Sequence, residues 1–444
     1  MRAPAPCDDV AVMIRDGRRR RPPATAAVFL LSALALRPAD AAGAGDVADL
    51  ASRVAKAQKL VEKIRHARFR APVASALLPE KELDSVLGRK LVEDLPVPFE
   101  TYASSLVSLG LIDPAPDLFP RLKRLYTRQV VGFYDPAEKR FYVVPERSSD
   151  VAGPAGELME QLLLAHELTH ALQDQRLGLD RRMRELKDST DALLALQAFL
   201  EGEATVLMTD ALVESAPKET REALGADPLA QVLSGLDSSS AVEGAEGVPE
   251  FFVQELVFPY AAGTAWVREK KRQGGWAAVD AAYHHLPSTT REILRPGTTP
   301  APRKLLAPAD LPGSAVPTGA AASWPDTLGE WVLGTLLERG GAADARDAAA
   351  AWQDDRAVFW TPAGAGPDAP VGFLWRVRAS SATGAKRIAA LLSPLYAGRR
   401  APERPSVTAR GDLVEVRLSV AAASALSPGS AGPPTGGSGG AAPR

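Results

Sequence analysis

The chain reads LAHELTHAL over residues 164–172, which places two histidines four positions apart and a glutamate directly after the first of them. Residues four apart lie on the same face of an α-helix, so His166 and His170 can reach a single metal ion. The intervening Glu167 then lies beside that ion without being a ligand, where a metal-bound water would need a general base. This stretch therefore predicts a helix that carries a metal site.

The residues around this motif are strongly apolar, as Leu162, Leu163 and Leu168 show. Imidazole and carboxylate groups are costly among such neighbours unless something compensates them. Two core histidines satisfied by hydrogen bonds are the alternative interpretation, and this cost makes it the weaker one. A zinc ion held by three protein groups keeps one position for water and lowers the pKa of that water to about 7. The expected cofactor is therefore one Zn²⁺ per chain.

A third ligand is expected from a second helix, which reads FLEGEAT over residues 199–205. Glu201 lies on the same stripe as Leu194 and Met208, a face that should pack inward. Glu203 points roughly 200° away from Glu201 at helical pitch. We therefore predict Glu201 as the third ligand.

Four more polar residues are candidates for supporting roles. Glu203 and Asp174 are expected either to orient a ligand imidazole or to lie at a solvated surface position. Tyr260 and His284 fall in the region that should close the cleft, and either is a candidate to stabilise an oxyanion. A simple packing role is the alternative for both.

The N-terminus has the features of a secretory signal peptide. A basic cluster at 18–21 precedes an apolar run at 24–36, and small-residue cleavage sites follow at 39–41 and 42–44. The run of about thirteen residues is shorter than the roughly twenty that span a membrane as a helix. We therefore predict a signal peptide over residues 1–44, an exported protein (periplasmic or extracellular), and no stable membrane span after cleavage.

Composition limits the other partners and the redox chemistry. The 52 lysines and arginines nearly cancel the 54 aspartates and glutamates, so nucleic acid is not an expected partner. The single cysteine, Cys7, lies before the apolar run, so the mature chain should have no thiol and no disulfide. Translation could begin at Met1 or at Met13.

Apolar spacing along the chain predicts an α+β protein that is mainly helical. The histidine motif falls on a predicted helix at 154–175, and Glu201 falls on one at 190–213. Beta-branched and aromatic runs flank Asp135 and Pro136, which predicts a hairpin at 129–144 that lies over the motif helix. The predicted organisation is a signal peptide (1–44), a metal-binding domain (45–300), a linker (301–325), a small α/β module (326–423) and a disordered tail (424–444).

The two helical motifs together resemble those of the gluzincin metallopeptidases, a group that includes thermolysin and aminopeptidases with an Asn-Glu-Gly-Phe-Ala helix. The resemblance implies a zincin-like fold for the metal-binding domain. It also implies zinc held by His166, His170 and Glu201, and peptide-bond hydrolysis with Glu167 as general base. The separation between His170 and Glu201 is longer than in the aminopeptidases, and an inserted turn around 177–188 would account for it.

A second resemblance covers most of residues 125–360 and is to a family of uncharacterised bacterial exported proteins, classed with the gluzincins. It is carried by the stretches GFYDP at 132–136, HELTHALQDQ at 166–175, EGEAT at 201–205, Pro259-Tyr260, 274–283 and 352–356. This chain has Arg295 where that family carries a histidine. If the histidine serves catalysis in the family, Arg295 must replace it or the role is lost.

The expected partner is a protein or peptide substrate. Zincins commonly pair an extended substrate with an edge strand above the metal, and the hairpin is the candidate for that strand, with ordinary packing as its alternative role. Two other functions remain open. One is a catalytically silent zincin scaffold that binds the cell envelope or a partner, and the other is hydrolysis of a different amide, such as one in peptidoglycan.

Overall fold

The computed structural model of the protein describes residues 45–93, 95–147, 154–215, 242–296, 316–366, 369–399 and 404–420. The predicted signal peptide, the predicted tail and the first part of the predicted linker lie outside these residues. The described chain is an α+β structure of helices and two small sheets, as the sequence predicted.

The first part of the chain is mainly helical. Its helices are α1 (Gly45–Arg65), α2 (Glu80–Glu93), α3 (Phe99–Leu109), α4 (Leu118–Gln129), α5 (Pro154–Leu177), α6 (Leu179–Glu185), α7 (Thr190–Ser215), α8 (Glu250–Ala282) and α9 (Thr290–Leu294). The two helices predicted to carry the site are confirmed as α5 and α7. The sequence predicted neither α3 nor α4, and the residues expected as an inserted turn around 177–188 instead include the short helix α6. Pro98 lies just before the first helical residue of α3, where a missing N–H costs no hydrogen bond.

A three-stranded sheet lies beside α5. Strands β2 (Gly132–Asp135) and β3 (Arg140–Val143) form the predicted hairpin, and the Asp135 carboxylate accepts from the N–H of Ala137 at 2.8 Å to stabilise the turn. Strand β1 (Ala74–Leu77) pairs with β3 in parallel and was not predicted. The strand order β1-β3-β2 leaves β2 at the edge that faces α5.

The last part of the chain forms a five-stranded antiparallel sheet with three helices. Its elements are β4 (Ala322–Asp326), α10 (Gly329–Arg339), α11 (Ala345–Ala349), β5 (Trp352–Thr361), β6 (Gly372–Ala379), α12 (Ala382–Ala397), β7 (Ser406–Arg410) and β8 (Leu413–Leu418), with strand order β4-β5-β6-β8-β7. The linker predicted at 301–325 extends too far, because residues 322–325 belong to strand β4. Trp324 pairs with Phe359 of β5 and stacks on its ring at 5.6 Å, so burial of the indole holds this stretch in the sheet.

The two parts share one hydrophobic core. A single cluster of buried apolar side chains includes members from both parts, such as Leu168, Phe199, Trp331 and Val416. The start of α7 is also held by the second part, since the Asp326 carboxylate accepts from the backbone N–H and the hydroxyl of Thr190 at 2.8 and 2.7 Å. Burial raises the pKa of Asp326 to about 7, so this contact stabilises the first turn of α7 mainly through its two hydrogen bonds. The C-terminal module therefore helps to fix the helix that carries Glu201.

Helix α7 is apolar enough to resemble a membrane span, but 83% of its most apolar window is buried inside the fold. It crosses α8 at very close range. A Cβ atom placed on Gly202 would lie 2.2 Å from the backbone carbonyl of Gly263, and one on Gly263 would lie 1.8 Å from the carbonyl oxygen of Ala198. The two glycines therefore allow backbone contact between α7 and α8. This contact sets where the α8 side chains meet Glu201.

We predict that Gly202→Ala lowers the free energy of unfolding by about 1–3 kcal/mol or more, because the added methyl group forces the two backbones apart. Chemical denaturation measures the change. Gly398→Ala is the matched control, since that glycine has φ −77° and ψ −9° and no atom within 4 Å of an added Cβ. Its effect should stay within about 0.5 kcal/mol. Equal effects of the two substitutions would argue against a tight crossing.

Candidate metal centre

Helices α5 and α7 pack side by side and bring three ligand-type side chains together. The Nε2 atom of His166 lies 3.2 Å from Nε2 of His170 and 3.2 Å from Oε2 of Glu201, and His170 Nε2 lies 3.5 Å from the same oxygen. All three residues are buried, at 3%, 5% and 5% exposure. This buried His-His-Glu group could bind a metal ion. Among the described residues it contains no fourth histidine, cysteine or carboxylate.

Local sequence accounts for this geometry. Pro154 is the first residue of α5, a position that tolerates proline, and the helix continues without interruption through both histidines. The two imidazoles are one turn apart and meet edge to face, with ring centroids separated by 4.9 Å. Glu201 reaches them because its face of α7 packs against α5, whereas Glu203, on another face of the same helix, is also fully buried.

The charges of the group compensate one another. Burial lowers the pKa of His170, but the negative charge of Glu201 beside it, with a smaller contribution from Glu167, outweighs burial and raises that pKa. Burial raises the pKa of Glu201, but His170 and His166 outweigh it and hold that pKa below its usual value. Glu201 is therefore an anion in the interior, which is the form that binds a cation.

Glu167 is buried on the same helix, and its carboxylate is held by the hairpin. The backbone N–H of Tyr134 in β2 donates to its Oε2 at 2.9 Å. All four residues of β2 are buried. The edge of β2 that the sequence suggested for substrate pairing therefore lies against α5, with the Tyr134 N–H already bonded to Glu167.

Tyr260 of α8 lies next to the group. Its ring is nearly parallel to that of His166, 6.3 Å away and tilted by 15°, and its hydroxyl is hydrogen-bonded to Glu201. Burial and the negative charges of Glu201 and Glu167 raise the pKa of Tyr260 well above its usual value. The phenol is therefore protonated and can donate a hydrogen bond at this site.

Asp174 and His284 lie elsewhere. The Asp174 carboxylate accepts from the Tyr134 hydroxyl at 2.7 Å, and from the Lys139 ammonium and the Leu179 N–H at 2.8 Å. It ties the hairpin to the end of α5 and does not orient a ligand imidazole. His284 is exposed just beyond the end of α8. It is not part of the group that the structure brings together.

Glu203 reaches the centre through a residue that the sequence analysis missed. Gln173 lies between them: its Oε1 is 2.9 Å from His170 Nδ1, and its Nε2 donates to Glu203 Oε2 at 2.9 Å. Glu203 also accepts from Arg65 Nε and from the Tyr283 hydroxyl, both at 2.6 Å. Gln173 lies on the same face of α5 as the two histidines, and this position was the only feature of the sequence that could have indicated its contact with His170.

Arg295, the position where the resembling family carries a histidine, is not at the centre. Its guanidinium pairs with Glu330 of α10 at 2.8 Å, and Arg291 donates to the same carboxylate at 3.0 Å. Arg291 also donates to the carbonyl of Trp352. The two arginines therefore join α9 to the C-terminal module.

Comparisons with known proteins add little to this picture. No protein-family model matches the chain. No curated protein matches it significantly. A solved structure described as that of "a putative hydrolase with a novel fold from Chloroflexus aurantiacus" matches 59% of this chain and 90% of its own, with a TM-score of 0.38 and 19% identity. A likeness at that level does not support an argument about function.

We predict that Glu201→Ala and Glu203→Ala fail in different ways. Glu201→Ala removes one of the three candidate ligands and should retain less divalent metal during dialysis against a weak chelator. Glu203→Ala removes the closer of two carboxylate partners of the fully buried Arg65, which keeps Asp280 at 2.8 Å, so it should cost about 1–3 kcal/mol of folding free energy. Metal analysis and chemical denaturation of both variants test this. If Glu203→Ala lost more metal than Glu201→Ala while remaining folded, Glu203 would be the third ligand.

Proposed function

We propose that the protein is an exported, zincin-like zinc metallopeptidase that hydrolyses peptide bonds. In this proposal His166, His170 and Glu201 hold the zinc ion, and Glu167 is the general base. The natural substrate is a protein or peptide outside the cytoplasm.

The spacing of the three ligand atoms is the observation that carries the proposal. Ligands about 2.0–2.1 Å from a zinc ion in tetrahedral geometry lie about 3.4 Å from one another. The separations among the two Nε2 atoms and the Glu201 oxygen run from 3.2 to 3.5 Å. The donor set of two imidazoles and a carboxylate is also one that catalytic zinc sites use.

The neighbouring residues have the chemistry that peptide hydrolysis needs. A bound zinc ion would supply a Lewis acid that lowers the pKa of a water and polarises the scissile carbonyl. Glu167 accepts the proton of that water and passes it to the leaving amine, while the Tyr134 N–H fixes the orientation of its carboxylate. The Tyr260 hydroxyl is the candidate donor to the oxyanion that develops on the carbonyl oxygen.

A catalytically silent metal scaffold is the second candidate, and the low exposure of the three ligands favours it. A structural zinc site is usually closed by four protein ligands and has no use for a base. The presence of Glu167 and a three-membered group among the described residues supports the enzyme instead. Hydrolysis of another amide, as in peptidoglycan, would use the same residues.

We predict that Glu167→Gln keeps the metal and loses turnover by about 10²–10⁴-fold, because the amide cannot take the proton of the water. Both proteins should carry about one zinc per chain. Incubation with a peptide library and with peptidoglycan fragments, read by mass spectrometry, measures cleavage and identifies the bond type.

Glu185→Gln is the matched control, since this exposed glutamate on α6 lies on the surface and should be neutral. Zinc-loaded wild type that cleaves neither peptides nor peptidoglycan would favour the silent scaffold. Cleavage that persists in Glu167→Gln would remove Glu167 from the mechanism.

Export is tested separately. Expressed in a bacterium with residues 1–44 in place, the protein should accumulate outside the cytoplasm with a new N-terminus after Ala41 or Ala44, because signal peptidase cuts after small residues. N-terminal sequencing of the fractionated protein measures this. A variant without residues 24–36 should stay in the cytoplasm, and finding the uncut wild type there would contradict export.

A further inference from the structure

We propose that Gln173 is a positioning residue for the metal centre, whose side-chain amide decides which ring nitrogen of His170 carries the hydrogen and so presents Nε2 to the metal. This inference rests on the proposed function, because it concerns how the same site is held.

The amide of Gln173 has only one orientation that satisfies its neighbours. Its nitrogen lies 2.9 Å from the backbone carbonyl of Leu200 and 2.9 Å from Oε2 of Glu203. Both neighbours are acceptors, and the amide nitrogen has two hydrogens to donate. A flipped amide would turn its oxygen toward two acceptors in a fully buried place. The oxygen of Gln173 therefore faces His170.

This orientation fixes the tautomer of His170. An amide oxygen can only accept, so the Nδ1 atom that lies 2.9 Å away must carry the hydrogen. A neutral imidazole with hydrogen on Nδ1 has its lone pair on Nε2. Nε2 is the atom that faces His166 and Glu201. Gln173 thus presents the nitrogen that a metal requires.

Glu203 is in turn held as an acceptor. Arg65 donates to its Oε1, and the Tyr283 hydroxyl donates to its Oε2, each at 2.6 Å. The side chains of Arg65 and Glu203 are both fully buried, and Arg65 compensates the charge of Glu203 while it also pairs with Asp280 at 2.8 Å. A path of hydrogen bonds therefore runs from Arg65 through Glu203 and Gln173 to His170, and each bond in it has a defined donor and acceptor.

The amide also keeps negative charge away from the ligand. Outer partners of metal-bound histidines are often carboxylates, which add charge directly beside the ring. Here the carboxylate is that of Glu203, which contacts Gln173 and not His170, and Arg65 compensates its charge. Gln173 is uncharged, donates to Glu203 and accepts from His170.

The test compares two buried glutamines in the full chain. Gln173→Leu should weaken zinc binding by about 10–100-fold in a chelator competition, because the Nδ1 hydrogen loses its acceptor. It should also change the visible spectrum of the Co²⁺-loaded protein, since the His170 ring is no longer oriented. Gln129→Leu is the control, because that buried side chain donates to the Glu243 carbonyl and lies on α4. Its zinc affinity and Co²⁺ spectrum should match those of the wild type.

A conservative variant tests the role of the acceptor even if Gln173→Leu does not fold. Gln173→Glu places an oxygen about where the amide nitrogen lies, 2.9 Å from Glu203 Oε2 and from the Leu200 carbonyl oxygen, so it should lower the stability of the fold. It keeps an oxygen that accepts from the His170 Nδ1 hydrogen. Its Co²⁺ spectrum should therefore stay close to that of the wild type.

Each outcome has a clear meaning. Unchanged zinc affinity and Co²⁺ spectrum in Gln173→Leu, or a Co²⁺ spectrum in Gln173→Glu that departs from that of the wild type, would overturn the positioning role and leave the metallopeptidase proposal intact. A wild-type protein that binds neither zinc nor cobalt would overturn both.

Discussion

Two carboxylates on one apolar helix impose the main constraint on this protein. Glu201 and Glu203 of α7 are both buried, and a buried charge is costly unless a partner compensates it. Glu201 faces the two imidazoles of α5, whereas Glu203 faces Arg65 of α1. The helices around α7 are therefore placed so that each carboxylate meets a cationic or cation-binding partner.

Gly202, the residue between the two carboxylates, adds a third requirement. Its missing side chain lets the α8 backbone contact α7 near Gly263, which brings Tyr260 beside His166. The tripeptide Glu-Gly-Glu therefore specifies three neighbours at once. These neighbours are α5 with its two histidines, the buried Arg65, and helix α8.

Features with a local signal could be predicted from the sequence. Helical spacing identified α5 and α7, and the Asp-Pro turn identified the hairpin. The apolar stripe did not distinguish Glu201 from Glu203, because α7 is buried on all its faces and both carboxylates lie in the interior. The outer partners could not be found in this way, since Arg65 lies 138 positions from Glu203 in the chain. Strand β1 was missed for the same reason, because its pairing with β3 is a long-range contact.

Sequence reasoning also failed to decide which of two adjacent residues, Gln173 or Asp174, contacts the ligand-type histidine. Both follow His170 by three or four positions, so both lie on its side of α5. The sequence favoured the acidic residue, but packing directs Asp174 toward the hairpin and Gln173 toward α7. Helical periodicity restricts a side chain to a face, and only the neighbouring elements decide between adjacent positions on it.

The cap that β4 places on α7 makes the two halves of the chain interdependent. Asp326 binds the first turn of the helix that holds Glu201, and the hydrophobic core continues across the same boundary. A protease cut between α9 and β4 would therefore yield a nicked protein whose fragments remain associated. The N-terminal fragment alone would expose apolar surface and lose the cap of α7, so the His-His-Glu group would be held together only in the reassembled pair.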